Sequence, residues 1–131
     1  MIINDKYKYS ELTSTIIGAA MEVHRIIGNG FQEVIYQRSL SHELLLRDIS
    51  HTREVEMPVM YKEIQAGTRR VDFLIEDKIS VEIKALIALE NVHLAQAINY
   101  LEAYNLEIGL LVNFGETKLN FKRIENKKYI K

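Results

Sequence analysis

Three charged residues in the middle of the chain have the types and spacing that metal-assisted chemistry requires. Asp72 is followed ten positions later by Glu82, and Lys84 lies two residues further on. Neighbouring carboxylates repel each other unless a cation or proton lies between them, and oxygen ligands without Cys or His nearby favour Mg²⁺ or Mn²⁺ over Zn²⁺. Lys84 beside such an ion could activate a metal-bound water or stabilise charge on a phosphate. The alternative is a surface ion-pair ladder of Asp72, Lys84 and Arg70.

The hydrophobic pattern of this segment selects a strand pairing that brings the two acids together. A slip of one residue moves every side chain of a strand to its other face. The favoured register makes one face wholly apolar through three opposed pairs: Ile75 with Ile79, Phe73 with Val81, and Val71 with Ile83. It predicts that Asp72 lies directly opposite Glu82, with Lys84 on the same face. The slipped register would bury charge against apolar groups, which costs roughly several kcal/mol.

Helical periodicity predicts two helices before this hairpin. Ser10 is the expected cap of the first helix, which should end at the turn Gly28-Asn29-Gly30. The apolar positions of this helix recur at helical spacing: Leu12, Ile16, Ala19, Ala20, Val23 and Ile27. The second helix is predicted for about 31–47, with these residues inward: Val34, Ile35, Leu40, Leu44 and Leu45. The two helices should pack together.

The period changes to two after residue 50, which predicts strands. The first strand should bury one face: Val55, Met57, Val59 and Tyr61. Pro58 lacks a backbone donor and therefore predicts a strand at or near an edge of the sheet. Gln65-Ala66-Gly67 is the expected turn to a strand over 68–76, which a strand over 78–86 follows. A helix over 91–104 and strands over 107–114 and 118–124 complete the order helix, helix, three strands, helix, two strands.

Composition predicts one globular domain over residues 1–131, with 47% hydrophobic and 27% charged residues. The absence of cysteine excludes disulfides, thiolate metal sites and a cysteine nucleophile. The start from Met1 to Lys6 is too polar for a secretory signal, and no apolar run reaches the roughly 18 residues that span a bilayer. The expected location is therefore cytoplasmic, without membrane contact.

Charge is unevenly distributed along the chain. The formal net charge of −1 argues against a surface adapted as a whole to polyanions. The last fourteen residues nevertheless carry one acid, Glu125, against these cations: Lys118, Lys122, Arg123, Lys127, Lys128 and Lys131. A basic patch and a merely solvated terminus explain this end of the chain equally well.

A longer motif accompanies the acids. The segment from Gly30 to Tyr36 reads G-x-x-E-x-x-Y, with Glu33 as its acid, at the start of the second predicted helix. Together with the Asp72, Glu82 and Lys84 arrangement, it resembles the GxxExxY protein family, which looks like a branch of the PD-(D/E)XK nuclease superfamily. The resemblance extends over about 15–124, including 96–101 and 113–115. It implies an α/β restriction-endonuclease-like core, a mixed central sheet of about five strands flanked by helices in the order ααβββαββ.

The resemblance also implies roles for individual residues. Asp72, Glu82 and the backbone carbonyl of Ile83 would be the metal ligands, and Lys84 would be the catalytic lysine. Glu33 would be the acid carried by a helix, and Gln96 would orient Lys84 or the scissile phosphate. Two of these residues have structural alternatives: Glu33 as a first-turn acid favoured by the helix dipole, and Gln96 as part of a polar rim with His93 and Tyr100. Val71 stands where the superfamily name has proline. His24 is expected to be a packing or capping histidine, and His42 and His51 have no ligand-like spacing to any partner.

The leading hypothesis from the sequence is a Mg²⁺-dependent hydrolase of the nuclease type. It would cleave phosphodiester bonds in nucleic acid, with DNA as the expected substrate. The rival hypothesis is a non-catalytic module on the same fold that binds nucleic acid or a partner protein, with a homodimer as one expected arrangement. A third reading treats the carboxylates as a purely structural site.

Overall fold

The computed structural model describes residues 9–131, and the prediction about the polar start at 1–6 lies outside the described residues. The elements follow the predicted order: α1 (Ser10–Ile27), α2 (Glu33–Leu46), β1 (His51–Tyr61), β2 (Ile64–Ile75), β3 (Ile79–Lys84), α3 (Asn91–Tyr104), β4 (Ile108–Asn113) and β5 (Asn120–Glu125). The predicted fold class, an α/β structure with a five-stranded mixed sheet flanked by helices, is confirmed.

The strands lie in sequence order across the sheet, β1-β2-β3-β4-β5. Neighbours are antiparallel except β3 and β4, a parallel pair that α3 connects. β4 is buried along its whole length, as expected for a strand with both faces covered. β1 is an outermost strand, which confirms the edge position predicted from Pro58.

Helices cover both faces of the sheet and create two hydrophobic cores. The α1–α2 core lies on one face and includes Ile16, Leu40, Phe73, Val81 and Phe114. The α3 core lies on the other face and includes Val71, Leu74, Tyr100, Leu101 and Leu111. None of the helices within residues 9–131 is long and apolar enough to cross a bilayer.

The first helix matches its prediction except at its start. Its buried apolar residues are Ile16, Ala19, Ala20 and Val23. Its C-cap is Gly28, whose φ of 71° suits glycine. The predicted cap at Ser10 is wrong by one position, because Ser10 is the first helical residue and Tyr9 is the N-cap.

The second helix turns a different stripe toward the sheet from the one predicted. Its buried residues lie one turn apart: Tyr36, Leu40 and Leu44. Exposure of 38%, 38% and 62% shows that the inward prediction was wrong for Val34, Ile35 and Leu45. Tyr36 decides the orientation, because its ring stacks on Phe114 with centroids 4.7 Å apart and its hydroxyl donates to the Gly28 carbonyl at 2.7 Å.

The first two strands form a longer hairpin than predicted. The turn consists of Lys62 and Glu63, whose φ values of 43° and 72° are both left-handed. A two-residue hairpin turn needs such angles, which usually select Gly or Asn, so these residue types gave no signal. The predicted turn at Gln65-Ala66-Gly67 is wrong, because this segment lies within β2. The distal part of the hairpin is exposed, and the predicted burial therefore fails for Val59 and Tyr61, which are 41% and 60% exposed.

Candidate active site

The pairing of β2 with β3 sets the position of the predicted acids. The predicted register is confirmed at its first positions, where Ile75 pairs with Ile79 and Phe73 with Val81. The ladder goes no further toward Asp72. Instead, the Asp72 carboxylate accepts a hydrogen bond from the Ile83 backbone N–H at 2.7 Å. The prediction that Asp72 pairs directly across from Glu82 is therefore wrong in detail, because a side chain replaces the strand-to-strand contact where the two strands separate.

Asp72 lies at a break in the side-chain alternation of β2. Val71 packs in the α3 core, whereas Phe73 packs in the α1–α2 core, so its two neighbours lie on opposite faces of the sheet. The facing strand has a matching irregularity at Glu54, whose φ is 54°. The predicted apolar face with Val71 opposite Ile83 is wrong for this reason. The break turns the Asp72 side chain toward α2 and β3.

The backbone of β3 directs a carbonyl oxygen into the same gap. The N–H and C=O groups of one strand residue point toward the same neighbouring strand. Because the Ile83 N–H donates to Asp72, the Ile83 carbonyl points to the same side. The Lys84 carbonyl points the other way, where it accepts from the Phe114 N–H at 2.8 Å. The residue predicted as a backbone ligand therefore presents its oxygen beside Asp72.

Four of the predicted site residues lie close enough together to influence one another's charge. Burial raises the pKa of Glu33, and repulsion from Asp72 and Glu82 raises it further, while Lys84 lowers it. Burial likewise raises the pKa of Asp72, against the opposing effect of the Ile83 hydrogen bond and Lys84. Burial is also the main cause of the raised pKa of Glu82, and Asp72 adds to it. The fold therefore gathers three carboxyl groups around one lysine, and each of these groups has a raised pKa, which means that its ionised form is disfavoured.

An arginine that the sequence analysis missed neutralises part of this charge. Arg69 donates to the Glu82 carboxylate at 2.8 Å and to the backbone carbonyl of Gln96 at 3.2 Å. Glu82 itself is only 4% exposed. The ion pair at the site thus involves Arg69, whereas the predicted surface ladder involved Arg70.

Gln37 is a second missed residue. Its amide donates to the Asp72 carboxylate at 2.8 Å, and its carbonyl accepts from Arg53 at 3.2 Å. Gln37 follows Glu33 by four positions on α2, so both lie on the same side of the helix. That spacing is the sequence signal that would have found it. Asp72 is therefore held from two sides, by α2 and by the backbone of β3.

The predicted residues on α3 have different surroundings. Gln96 joins the site through its backbone carbonyl, which Arg69 contacts. His93 accepts from the Glu90 N–H at 2.8 Å as part of a capping box. Tyr100 is fully buried in the α3 core, where burial raises its pKa. The polar rim proposed as the alternative role of Gln96 therefore does not include Tyr100. The histidines of α1 and β1 are structural: His24 bonds to the Glu116 carbonyl at 3.0 Å, and His51 bonds to Ser41 at 2.7 Å.

The segment after Lys84 is fastened to the end of β4. The buried Asn113 side chain donates to the Leu86 carbonyl and accepts from the Leu86 N–H, both at 2.9 Å. A Cβ at Gly115 would lie 2.4 Å from the Leu86 backbone, so only glycine allows this approach. These contacts fix the exit of β3 and, with it, the position of Lys84.

The donor set fits a hard divalent ion. Within residues 9–131, no three Asp, Glu, His or Cys side chains converge as a ready-made metal cluster. The predicted ligand set has two carboxylates, from Asp72 and Glu82, and its third member is the Ile83 backbone carbonyl. All its atoms are oxygens, the type that Mg²⁺ and Mn²⁺ prefer. Burial raises the carboxyl pKa values because it disfavours the ionised forms. A cation between the groups would offset this penalty.

Comparison with known proteins identifies the family. Residues 10–124 match the family model of the PD-(D/E)XK nuclease superfamily. No curated protein sequence matches significantly. The crystal structure of SSO0001 is similar, with a TM-score of 0.56 and 24% identity over 90% of this chain and 57% of that one. The chain thus spans little more than half of SSO0001, and at this identity the likeness supports the fold alone. Because the family model covers most of the sequence, the chain belongs to the PD-(D/E)XK nuclease superfamily.

Proposed function

We propose that the protein is a Mg²⁺- or Mn²⁺-dependent nuclease that hydrolyses phosphodiester bonds in DNA. Membership of the superfamily implies a nuclease-like function and nucleic acid as the partner. The observation that carries the finer proposal is the gathering of the half-buried Asp72 and the buried Glu82 beside the Ile83 carbonyl and Lys84. Structural ion pairing alone gives no reason to gather acids whose pKa values are all raised.

Each residue of the site has a distinct task in this proposal. Asp72, Glu82 and the Ile83 carbonyl would hold the metal, which when bound supplies Lewis-acid stabilisation of charge on the phosphate. Lys84 orients or deprotonates the attacking water. Glu33 supports Lys84 by its negative charge. Among the α3 residues, Gln96 would orient Lys84 or the scissile phosphate.

The finer assignment to the GxxExxY branch is part of the proposal, and the geometry gives its motif a physical reason. Tyr36 donates to the Gly28 carbonyl at 2.7 Å and accepts from the Phe31 N–H at 3.2 Å. These bonds fold the loop before α2 against the helix. Glu33, the first residue of α2, is thereby presented to Asp72. The spacing of the motif thus places Tyr36 in the core and Glu33 beside the site.

A cleavage assay tests the proposed function. Supercoiled, linear and single-stranded DNA and an RNA control are incubated with Mg²⁺, Mn²⁺ or EDTA and either wild type or Glu82→Ala. We expect metal-dependent cleavage by wild type and loss of at least about 10²-fold in rate for the variant. Metal-dependent cleavage that survives Glu82→Ala would contradict the assigned role. Salt-dependent binding of DNA without any turnover would instead support the non-catalytic module.

The pH dependence of metal binding follows from the raised carboxyl pKa values. Because Glu33, Asp72 and Glu82 bind protons more tightly in the folded than in the unfolded chain, the metal-free protein loses stability as pH rises from about 4 through the folded pKa values. The cations that face these groups, Lys84 and Arg69, reduce this loss without reversing it.

A metal must displace the same protons. The rise in Tm that Mn²⁺ causes should therefore be larger at about pH 8 than at about pH 5. Differential scanning fluorimetry at both pH values, with Glu82→Ala as the control, measures this difference. An equal Mn²⁺ effect at both pH values would contradict the involvement of these carboxyl groups.

A further inference from the structure

The positively charged guanidinium of Arg69 contacts Glu82, which is a predicted metal ligand. It lies 2.8 Å from one Glu82 oxygen. It also donates to the carbonyls of Gln96 and of its own neighbour Arg70. Glu82 is 4% exposed, and a buried carboxylate requires a positive partner if it is to stay ionised. In this structure, Arg69 is the partner that meets this need.

A divalent ion on the same carboxylate would compete with this arrangement. Two cations held by one buried carboxylate repel each other strongly, because little water screens them. Besides Glu82, the Arg69 guanidinium contacts the backbone carbonyls of Gln96 and Arg70. When it is released from Glu82, the Gln96 carbonyl is still available to it as an acceptor.

A path for such a movement exists. The Arg69 side chain is 26% exposed and lines an open groove of about 530 Å³ between the β1–β2 hairpin and α3. The groove also exposes the polar side chains of Asn99 and Glu102. A guanidinium that leaves Glu82 therefore enters a solvated space beside Asn99 and Glu102, although the Glu102 carboxylate also pairs with Lys128 at 3.5 Å.

We infer that Arg69 is an internal counter-ion for Glu82 that gives way when the divalent metal binds. The inference rests on the proposed function, since it assigns Glu82 to the metal. Arg69 is a positioning residue: it favours the ionised form of Glu82 and holds the carboxylate in place until the metal binds. This arrangement weakens metal binding, because the charge-assisted hydrogen bond between Arg69 and Glu82 must break when the metal binds.

Calorimetric titration with Mn²⁺ alone, without nucleic acid, tests the inference. The variants are Arg69→Met and Arg69→Gln, the second keeping a polar side chain in case the first does not fold. The matched control is Arg70→Met, which removes the same charge from the adjacent residue, one that also acts on Asp72 electrostatically. We expect both Arg69 variants to bind Mn²⁺ about tenfold or more tightly than wild type, and the Arg70 control to differ from wild type by less than about threefold.

A thermal measurement separates an exchanged ion pair from a permanent one. The Arg69 variants should have a lower Tm than wild type without metal, because Glu82 loses its partner. This deficit should shrink at saturating Mn²⁺, since wild type no longer uses the pair. A deficit of the same size with and without Mn²⁺, or affinity no tighter than that of the Arg70 control, would overturn the inference. A wild type that binds no Mn²⁺ would overturn the proposed metal centre together with this inference, which distinguishes the two failures.

Discussion

Replacing Lys84 with methionine should lower the rate of DNA cleavage by about 10²- to 10⁴-fold, the range expected for the loss of a group that activates water. Lys84 is the last residue of β3, and its backbone is fixed by the hydrogen bond from Phe114. Methionine keeps most of the apolar stem and removes only the ammonium group. The backbone and the carboxylates should therefore stay in place.

The same substitution should leave Mn²⁺ binding intact or make it slightly tighter, because it removes a positive charge that acts on Glu33, Asp72 and Glu82. Single-turnover cleavage and calorimetric titration on one protein preparation measure the two effects. Lys78→Met is the matched control, since Lys78 is exposed at the turn between β2 and β3. Cleavage at the wild-type rate by Lys84→Met would contradict the assigned role.

Replacing Asp72 with alanine should weaken Mn²⁺ binding by more than about 100-fold. Loss of a residue that only supports a metal ligand typically lowers affinity by about 10- to 100-fold, and loss of a ligand itself should lower it further. In the proposed metal centre, Asp72 supplies one of the two carboxylate ligands, and Glu82 supplies the other. Calorimetric titration measures the loss, and DNA cleavage should disappear with it.

The effect of this substitution on folding is expected to be modest, because two terms oppose each other. The Ile83 N–H loses its acceptor, and an unsatisfied buried donor costs about 1–3 kcal/mol. Removal of a carboxylate that burial disfavours acts in the opposite direction. Urea denaturation of the metal-free protein measures the balance, and the control is Asp77→Asn, which removes a carboxylate at an exposed turn of the same hairpin and tolerates its left-handed φ of 57°. Unchanged Mn²⁺ affinity in a folded Asp72→Ala protein would exclude Asp72 as a ligand.

Much of the fold follows from periodicity. The bounds of α3 at Asn91–Tyr104 agree with the prediction, because its polar and apolar residues alternate at helical spacing without competing signals. The register of β2 and β3 was also predictable at Phe73 and Ile75. Both strands there carry apolar residues at alternate positions, and a slipped register would set the charged Glu82 against Phe73.

The failures have local physical causes that residue type does not reveal. A left-handed residue at Glu54 and another at Lys62 were not predictable, because neither type favours that conformation. The first accompanies the break that moves Val71 to the other face, and the second begins the hairpin turn. On α2, Tyr36 is less apolar than Val34 and Ile35 but is the residue that packs, because its ring and hydroxyl both find partners in the core.

The residues proposed as metal ligands could be named from the sequence, but the residues that contact them could not all be named in this way. Asp72, Glu82 and Lys84 carry a recognisable spacing, whereas Arg69 and Gln37 act through contacts between distant segments. Such polar contacts leave no periodic signal in the sequence. Gln37 was accessible through its helical spacing from Glu33, but Arg69 required the position of α3 relative to β2.

A crystal structure of the protein soaked in Mn²⁺, with anomalous data, tests the central claim most directly. We predict one Mn²⁺ ion bound by the carboxylates of Asp72 and Glu82 and by the carbonyl of Ile83, an all-oxygen ligand set of the kind that hard cations prefer. The Arg69 guanidinium should then have left Glu82. An ordered Mn²⁺ ion held elsewhere, or an intact Arg69–Glu82 pair with no metal at saturating concentration, would contradict the account.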